Sequence, residues 1–201
     1  MKLENYLKLL ITWLPKDSFE NGYINNDLIV LNVKKNFVKE VLLILRDHTE
    51  ADFKILLDVC GADYPSREKR FDVIYNLLSI KYNIRVIIKV MLRDGEQIES
   101  VTDLFSVANW FEREVWDMYG IMFIKHPGLR RILTDYDFEG HPLRKDFPLT
   151  GYVELRYDLE QKKVIYESVK LMQEYRKFDF LSPWEKGEYV LPGDGDKKAI
   201  K

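Results

Sequence analysis

The sequence contains a single cysteine, Cys60, among its 201 residues. One thiol excludes an intrachain disulfide, and it excludes an iron–sulfur cluster or a zinc site built from cysteines of this chain alone. A surplus of charge of one sign is also missing, because 31 basic side chains against 33 acidic ones leave a formal charge of −2. That balance provides no global attraction to nucleic acid, so we predict no nucleic-acid partner.

Long apolar runs are absent as well. The most apolar stretch, Ile84–Leu92, is interrupted by Arg85 and Lys89, and it is far shorter than the roughly 20 residues that a helix needs to cross a bilayer. We therefore expect no transmembrane segment. Residues 1–17 place leucines at helical spacing between three lysines and one glutamate, Glu4. This pattern predicts a surface helix packed on the core and is typical neither of a secretory signal nor of an organellar targeting peptide.

The remaining composition, 46% hydrophobic and 32% charged, is typical of a globular protein with one core. Apolar periodicity predicts a helix over residues 35–48 and strands at 28–33, 53–59, 71–80 and 84–92. Ser100 and Asn109 are predicted helix starts, and Gly120 ends the second of these helices. The predicted fold class is α+β: a two-layer domain over residues 1–124, with a mostly antiparallel mixed sheet packed by helices.

The pattern changes after residue 124, where five of the seven prolines occur and apolar periodicity weakens. One long helix or strand is therefore excluded from residues 124–150. We predict that residues 125–190 form an extended, proline-rich segment that wraps partner subunits and contains a short hairpin with strands at 152–157 and 163–169. Residues 191–201 are predicted to be a mobile tail.

The helix that starts near Asn109 carries an unusual concentration of charge. Glu112, Arg113, Glu114 and Asp117 lie within two turns of it. Arg113 and Asp117, four residues apart, are spaced to form an ion pair, and Glu114 shares a face with Asp117. Paired carboxylates can transfer protons or hold a divalent metal, but bulky apolar residues surround these ones. We therefore expect an ion-pair network that orders the helix or contacts a partner, with catalysis or metal binding as the alternative.

Other reactive side chains give little sign of chemistry. His126 and His141 each precede a proline, and they lie 15 residues apart without a nearby cysteine or third histidine, which disfavours a closed zinc site. Cys60 has no evident base beside it and is predicted to be a buried structural thiol. The glycines are too widely spaced for a phosphate-binding loop. The sequence thus predicts no catalytic, cofactor-binding or metal-binding residue.

Residues 125–145 alternate basic and acidic side chains among aromatic residues and prolines. Irregular backbone needs partners for its polar groups, and arginine and tyrosine are enriched at interface hot spots. We interpret this stretch as a protein interface, with a solvated loop or a nucleic-acid patch as the alternatives. In particular, Arg130, Arg131, Arg144 and Lys145 are expected to dock against a partner. The expected interface comprises Glu112, Arg113, Glu114, Asp117, His126, Arg130, Arg131, Asp135, His141, Arg144, Lys145 and Asp146.

Residues 112–157, EREVWDMYGIMFIKHPGLRRILTDYDFEGHPLRKDFPLTGYVELRY, resemble the signature region of the C-subunit family of NADH:ubiquinone oxidoreductase, respiratory complex I. In its mitochondrially encoded form this family is known as NADH dehydrogenase subunit nine. The resemblance extends through LLDVCGADYPSREKRFDVIYNLLS on one side and QEYRKFDFLSPWE on the other. It covers about residues 30–185 of the chain.

This resemblance implies a non-catalytic scaffold subunit, needed for assembly and stability of the quinone module in the peripheral arm. In this family the subunit holds no cofactor, because FMN, the iron–sulfur clusters and quinone belong to partner subunits. The implied main partner in the hetero-oligomer is the large quinone-module subunit related to the hydrogenase large subunit. The enzyme, a proton-translocating NADH:ubiquinone reductase, is then the whole complex.

Two alternatives remain open from the sequence: a homologous structural subunit of a membrane-bound hydrogenase-type complex, and a free-standing carboxylate-dependent metalloenzyme. The excess of lysine, 20 residues against 11 arginines, suggests an AT-rich genome. We therefore expect a peripheral protein on the matrix side of the mitochondrial inner membrane. The alternative location is the cytoplasmic face of a bacterial plasma membrane.

Overall fold

The structure, a computed structural model, describes residues 3–173. Its elements are α1 (Leu3–Trp13), β1 (Phe19–Asn25), β2 (Leu28–Val33), α2 (Val38–Asp47), β3 (Ile55–Asp63), β4 (Phe71–Ser79), β5 (Ile84–Leu92), β6 (Gln97–Glu99), α3 (Ala108–Tyr119), β7 (Met122–Ile124), β8 (Val153–Asp158) and β9 (Lys163–Ser168). A 3-10 turn at Lys35–Phe37 precedes α2. The predicted tail, 191–201, and the end of the predicted segment 125–190 lie outside the described residues.

Five strands form the central sheet in the order β1-β2-β5-β4-β3. β2 and β5 are parallel, while the other neighbours are antiparallel. Strand β1 is absent from the sequence prediction because Glu20, Asn21 and Gly22 interrupt its aromatic and β-branched residues, and asparagine and glycine are depleted in strands. The turn into β2 is a two-residue connection in which Asn26 and Asp27 adopt positive φ angles of 46° and 63°, as the favoured hairpin turns require.

The core lies between one face of this sheet and the helices. In β4, Phe71, Val73, Tyr75 and Leu77 are buried, whereas the alternating side chains from Ile74 onward are half-buried, as expected for a sheet covered on one face. Helix α1 buries Tyr6 and Leu10, and α2 buries an apolar stripe of Val38, Val41, Leu42 and Leu45. The predicted α+β class, with helices packed on a mostly antiparallel mixed sheet, is therefore confirmed.

Residues 100–107 form turns instead of the helix predicted to begin at Ser100. The Ser100 hydroxyl does accept the backbone N–H of Thr102, as a helix N-cap would, but the chain completes only one turn, closed by the bond from the Phe105 N–H to the Val101 carbonyl. Helix α3 follows and stops where the sequence predicts, because Gly120 adopts the left-handed conformation and its N–H donates to the carbonyl of Trp116.

The chain divides into two compact units, the first ending at Gly151 and the second beginning at Tyr152. The sequence prediction placed this boundary after residue 124 and must be corrected, because residues 125–151 are bonded to the first unit through Arg131, Arg144 and the backbone of Lys145. The second unit contains the predicted hairpin, β8 paired with β9. Among the helices within residues 3–173, none combines the length and apolar character needed to cross a bilayer.

Candidate functional site

Helix α3 and the loop of residues 125–147, hereafter the α3 loop, contain the whole predicted interface set. The loop begins when Gly120 redirects the chain from α3 into β7, which pairs with β6. Lys125 then turns the backbone with a positive φ of 64°. The loop returns over α3, so that loop residues contact helix residues that lie far from them in the sequence.

The carboxylate of Asp117 holds the loop at its centre. Its Oδ2 accepts hydrogen bonds from the backbone N–H groups of Ile132, Leu133 and Thr134 at 3.0, 2.9 and 3.0 Å. Its Oδ1 accepts from the Thr134 hydroxyl and from Arg131 at 2.7 Å. Burial alone would raise the pKa of Asp117, but the hydrogen bonds from Thr134, Leu133 and Ile132 outweigh burial and hold it well below its usual range. Asp117 is therefore an anion that organises successive backbone N–H groups.

Arg113 binds the loop through backbone carbonyls. Its Nε donates to the carbonyl of Arg130 at 3.1 Å and its Nη2 to that of Arg131 at 2.8 Å. The predicted Arg113–Asp117 ion pair is wrong, because Arg131 takes the place of Arg113 beside Asp117. The physical reason is the irregular backbone of the loop: its carbonyls need donors, and the fork of Arg113 supplies two at once.

Within the described residues, the remaining acids of α3 do not belong to an ion-pair network. Glu112 is fully buried, and its Oε1 accepts the backbone N–H of Val101 at 2.8 Å. Its Oε2 has no hydrogen-bond partner among the described residues, and neither has the nearby Tyr75 hydroxyl. Burial raises the pKa of Glu112 to about 7. Glu114 is exposed and, within residues 3–173, forms no ion pair.

The two histidines contact α3 separately. His126 Nδ1 accepts the N–H of Gly128 at 3.1 Å, so its Nε2 carries the proton and donates to the carbonyl of Asn109 at 3.0 Å. His141 donates through Nδ1 to the carbonyl of Asp117 at 2.9 Å and lies edge-on to the Trp116 ring. Both imidazoles therefore fasten the loop to carbonyls of the helix.

Arg144 fastens the far end of the loop. It donates to the carbonyl of Tyr119 at 2.7 Å and forms an ion pair with Asp94 at 3.2 Å. The approach is close, because a Cβ on Gly120 would lie 2.7 Å from the His141 ring and 2.9 Å from Arg144. Glycine is therefore required there both by its positive φ and by the packing of these two side chains.

A second charged cluster around Arg70 was not predicted from the sequence. Arg70 binds both oxygens of Asp63 at 2.7 and 2.8 Å and reaches Asp146 at 3.0 Å. The hydrogen bonds from Arg70 lower the pKa of Asp63, which also accepts the backbone N–H of Lys145. The sequence could have indicated this cluster, because the predicted strands on either side of residues 63–70 form a hairpin. A hairpin places the residues before and after its connection side by side.

Several loop side chains point outward in the isolated chain. Arg130 and Lys145 are exposed, as are Leu133 at 63% and Tyr136 at 85%. Arg131 and Arg144, by contrast, are engaged within the chain, with Asp117 and with the Tyr119 carbonyl. Their docking against a partner stays a prediction. The backbone carbonyl of Asp135 accepts a hydrogen bond from the backbone N–H of Phe138.

The arrangement offers little for thiol or metal chemistry in the described part of the chain. Within residues 3–173, no three side chains of the metal-binding types converge on a point that could hold an ion. Cys60 is half-buried, and burial, followed by the charge of Asp58, raises the pKa of its thiol to about 11. A thiolate nucleophile is therefore disfavoured near neutral pH. What the geometry does achieve is a loop held rigidly against a helix.

Comparison with known proteins gives a consistent result. The family model described as the respiratory-chain NADH dehydrogenase 30 kDa subunit matches residues 31–153. The C subunit of the NADH-quinone oxidoreductase of Paramagnetospirillum magneticum is 58% identical over 181 residues, which cover 90% of either chain. The protein of the same name from Mesorhizobium japonicum is 58% identical over 171 residues, 85% of either chain.

A solved structure shares the fold. One chain of the membrane-bound sulfane sulfur reductase, described as an archaeal respiratory membrane complex, matches with a TM-score of 0.63. The alignment covers 74% of this chain and 87% of that chain at 22% sequence identity. At this identity the similarity concerns the fold alone.

Proposed function

The chain belongs to the family of the respiratory-chain NADH dehydrogenase 30 kDa subunit, and from this membership we propose that it is a scaffold subunit of an NADH-quinone oxidoreductase. The two bacterial relatives are named as the C subunit of that enzyme. The proposed role is to assemble and stabilise the quinone module of the peripheral arm, while partner subunits carry out electron transfer.

The observation that carries this proposal is the use of the charged residues of α3 and its loop. The hydrogen-bonding groups of Asp117, Arg113 and Arg131 bind the α3 loop and one another. An enzyme active site would keep such groups directed at a cleft where a substrate could reach them. A scaffold instead needs a preformed surface, and a loop fixed from beneath provides one.

We also propose that FMN, the iron–sulfur clusters and quinone are bound by partner subunits and that this chain contains no catalytic residue. One cysteine cannot ligate a cluster that requires four cysteine ligands. The absorbance spectrum of the purified chain tests this proposal: it should show aromatic absorption only. Flavin or iron–sulfur bands that copurify with the chain in stoichiometric amount would contradict it.

The proposed main partner is the large quinone-module subunit related to the hydrogenase large subunit. The alternative assembly, a membrane-bound hydrogenase-type complex, differs in the source of its electrons. An NADH-oxidising flavoprotein in the assembly purified through this chain would favour the NADH-quinone oxidoreductase, whereas hydrogenase activity without such a flavoprotein would favour the alternative.

We propose a peripheral position at a respiratory membrane. The predicted location on the mitochondrial matrix side, with the form known as subunit nine, has no support from the relatives of Paramagnetospirillum and Mesorhizobium, which are bacterial. They support the cytoplasmic face of a bacterial plasma membrane. Detection of the chain in bacterial cell membranes or in mitochondria distinguishes these locations. Its release from isolated membranes by salt or carbonate washing tests the peripheral position.

The central experiment is to purify the assembly through an affinity tag on this chain and to analyse it on a native gel. We expect the chain in a high-mass assembly with NADH:quinone activity, and we expect its deletion to remove that assembly. Metal analysis of the isolated chain is the parallel test. Stoichiometric bound metal together with activity of the isolated chain would favour the carboxylate-dependent metalloenzyme and would defeat the scaffold proposal.

A further inference from the structure

A cleft runs between helix α3 and the edge of the five-stranded sheet. The edge strand is β3, whose one neighbour in the described sheet is β4. The cleft has a volume of about 120 Å³. Its lining includes Asp58, Cys60 and Gly61 from β3, Glu114 and Met118 from α3, and Leu143 from the α3 loop.

The backbone of β3 is available along this cleft. Its register with β4 is regular from Asp58 to Asp63, after an irregularity between Leu56 and Asp58. Apart from its pairing with β4, no backbone–backbone hydrogen bond within residues 3–173 involves residues 58–63. An antiparallel edge strand directs alternate N–H and C=O groups outward, and such a row can pair with an added strand.

The dimensions of the cleft favour a polypeptide segment over a small molecule. Small-molecule sites usually enclose roughly 300–1,000 Å³, whereas this cleft encloses about 120 Å³. An added strand does not need a deep cavity, because it lies about 4.8 Å from its neighbour along the sheet edge. One or two of its side chains would fill the cleft against Met118 and Leu143.

The cleft has a negative electrostatic character. Asp58 lies on the strand side and Glu114 on the helix side, and neither forms an ion pair within residues 3–173. The thiol of Cys60 responds to this field: burial raises its pKa to about 11, and the charges of Asp58 and Glu114 contribute to that rise while Lys89 opposes it. With two acids against one cation, the cleft favours a positively charged side chain.

We propose that β3 and α3 form a docking groove for an extended segment of another subunit, which adds to the edge of β3 and places a lysine or arginine between Asp58 and Glu114. This inference rests on the proposed function, since it requires a multi-subunit assembly. A second copy of this chain is a poor occupant, because pairing two β3 edges brings the same acidic side chains together.

Hydrogen exchange provides the first test, carried out on the isolated full chain and on the assembly purified through it. We expect the outward-directed amides among residues 58–62, which are not bonded to β4, to exchange at least about tenfold more slowly in the assembly. Strand β1, at the opposite edge of the sheet, is the internal comparison.

The outcomes of this test are distinct. An assembly that contains partner subunits but leaves β3 exchange unchanged overturns the groove and leaves the proposed function intact. Recovery of the chain without any partner subunit overturns both. Two further results would overturn the partner segment. Slow exchange of the β3 amides in the isolated monomer would mean that this chain itself occupies the groove. Slow exchange in a dimer of the chain would mean that a second copy occupies it.

Charge reversal provides the second test. Glu114→Lys should reduce the recovery of partner subunits with the tagged chain at least about tenfold at low salt, and Glu114→Gln should reduce it less. Glu40→Lys is the matched control, because Glu40 is also an exposed helical acid. Urea unfolding of each isolated variant verifies that it is folded. Recovery equal to wild type for folded Glu114→Lys would overturn the assignment of Glu114 to the groove.

Discussion

The ion pair between Asp117 and Arg131, with 2.7 Å between Oδ1 and Nη1, joins α3 to the α3 loop. The Asp117 side chain is fully buried and that of Arg131 is 14% exposed, so the pair is largely removed from water. Four further hydrogen bonds to the same carboxylate fix the loop backbone at residues 132–134. Leu133 is therefore presented outward on ordered backbone, which lowers the entropic cost of binding a partner.

Asp117→Asn tests this arrangement directly. The amide keeps the size of the side chain but removes its charge, and it leaves Arg131 partly buried without a counterion. We expect the free energy of unfolding of the isolated chain to fall by about 3 kcal/mol, as measured by urea denaturation.

The matched control for this change is Asp137→Asn, an identical loss of charge at an exposed position of the same loop. It should leave the unfolding midpoint unchanged, because surface substitutions usually have small effects. Equal losses for the two variants would show that the bonds to Asp117 do not stabilise the loop.

Arg144 and Arg130 should respond differently to replacement by lysine. Arg144→Lys loses the fork that joins Asp94 to the carbonyl of Tyr119, so it should lower both the stability of the isolated chain and the yield of the assembly. Arg130 has an exposed side chain. Arg130→Lys should therefore keep the stability of wild type and lower the yield of the assembly alone.

Urea unfolding of the isolated variants and native gels of the assembly measure the two effects. Activity per assembled complex should remain that of wild type in both variants. If Arg130→Lys assembles normally, its predicted contact with a partner is wrong. Slower turnover in a fully assembled Arg144→Lys complex would instead place Arg144 in the chemistry.

Gly61→Ala tests the close packing of α3 on β3. A Cβ at Gly61 would lie 2.6 Å from Cδ2 of the Tyr119 ring, so either the ring or the helix that carries it must shift. We expect a loss of about 1–3 kcal/mol in the free energy of unfolding. Gly128→Ala is the control, since a Cβ there meets nothing within 4 Å; a similar loss at both positions would contradict this packing argument.

The sheet and the main helices were largely predictable because their apolar side chains repeat with the period of the element they form. Strands β2 and β5 have the predicted bounds, and Gly120 ends α3 as expected. Strand β1 was missed because it lies at the edge, where polar and glycine residues are tolerated.

The site was only partly predictable, for a different physical reason. The sequence identified the charged residues of α3 and the loop, but spacing suggests only partners three or four residues away. Asp117 pairs with Arg131, which lies 14 residues later, and Asp63 accepts the backbone N–H of Lys145, which lies 82 residues later. Such contacts depend on the path of an irregular loop, which no periodic pattern specifies.

Limited proteolysis of the isolated chain should leave a fragment that ends near Gly151. The sequence alone predicted an extended segment from residue 125 onward, but His126, Arg131 and Arg144 fasten the α3 loop to α3. Bonded backbone must open before a protease can cut it. Mass spectrometry of the limit fragment provides the measurement, and a stable product that ends near residue 124 would show that these contacts are weak.

Glu112→Gln should change how stability depends on pH. Burial raises the pKa of Glu112 from 4.5 to about 7 in the folded chain, and the charge of Asp103 contributes to the rise. The folded state therefore holds the proton more tightly than the unfolded state. Stability from this group is complete below about pH 4.5 and is lost as the pH rises towards 7, a loss of about 3 kcal/mol.

Glutamine at position 112 does not titrate, and its carbonyl can still accept the N–H of Val101. The free energy of unfolding of Glu112→Gln relative to wild type should therefore rise by about 3 kcal/mol between pH 4.5 and pH 7.5. The acids with lowered pKa values, Asp63 and Asp117, lose stabilising charge as the pH falls. That loss is the same in both proteins, so it cancels in the difference. Urea denaturation at a series of pH values measures this difference, and a difference that stays constant with pH would show that Glu112 titrates like an exposed carboxyl.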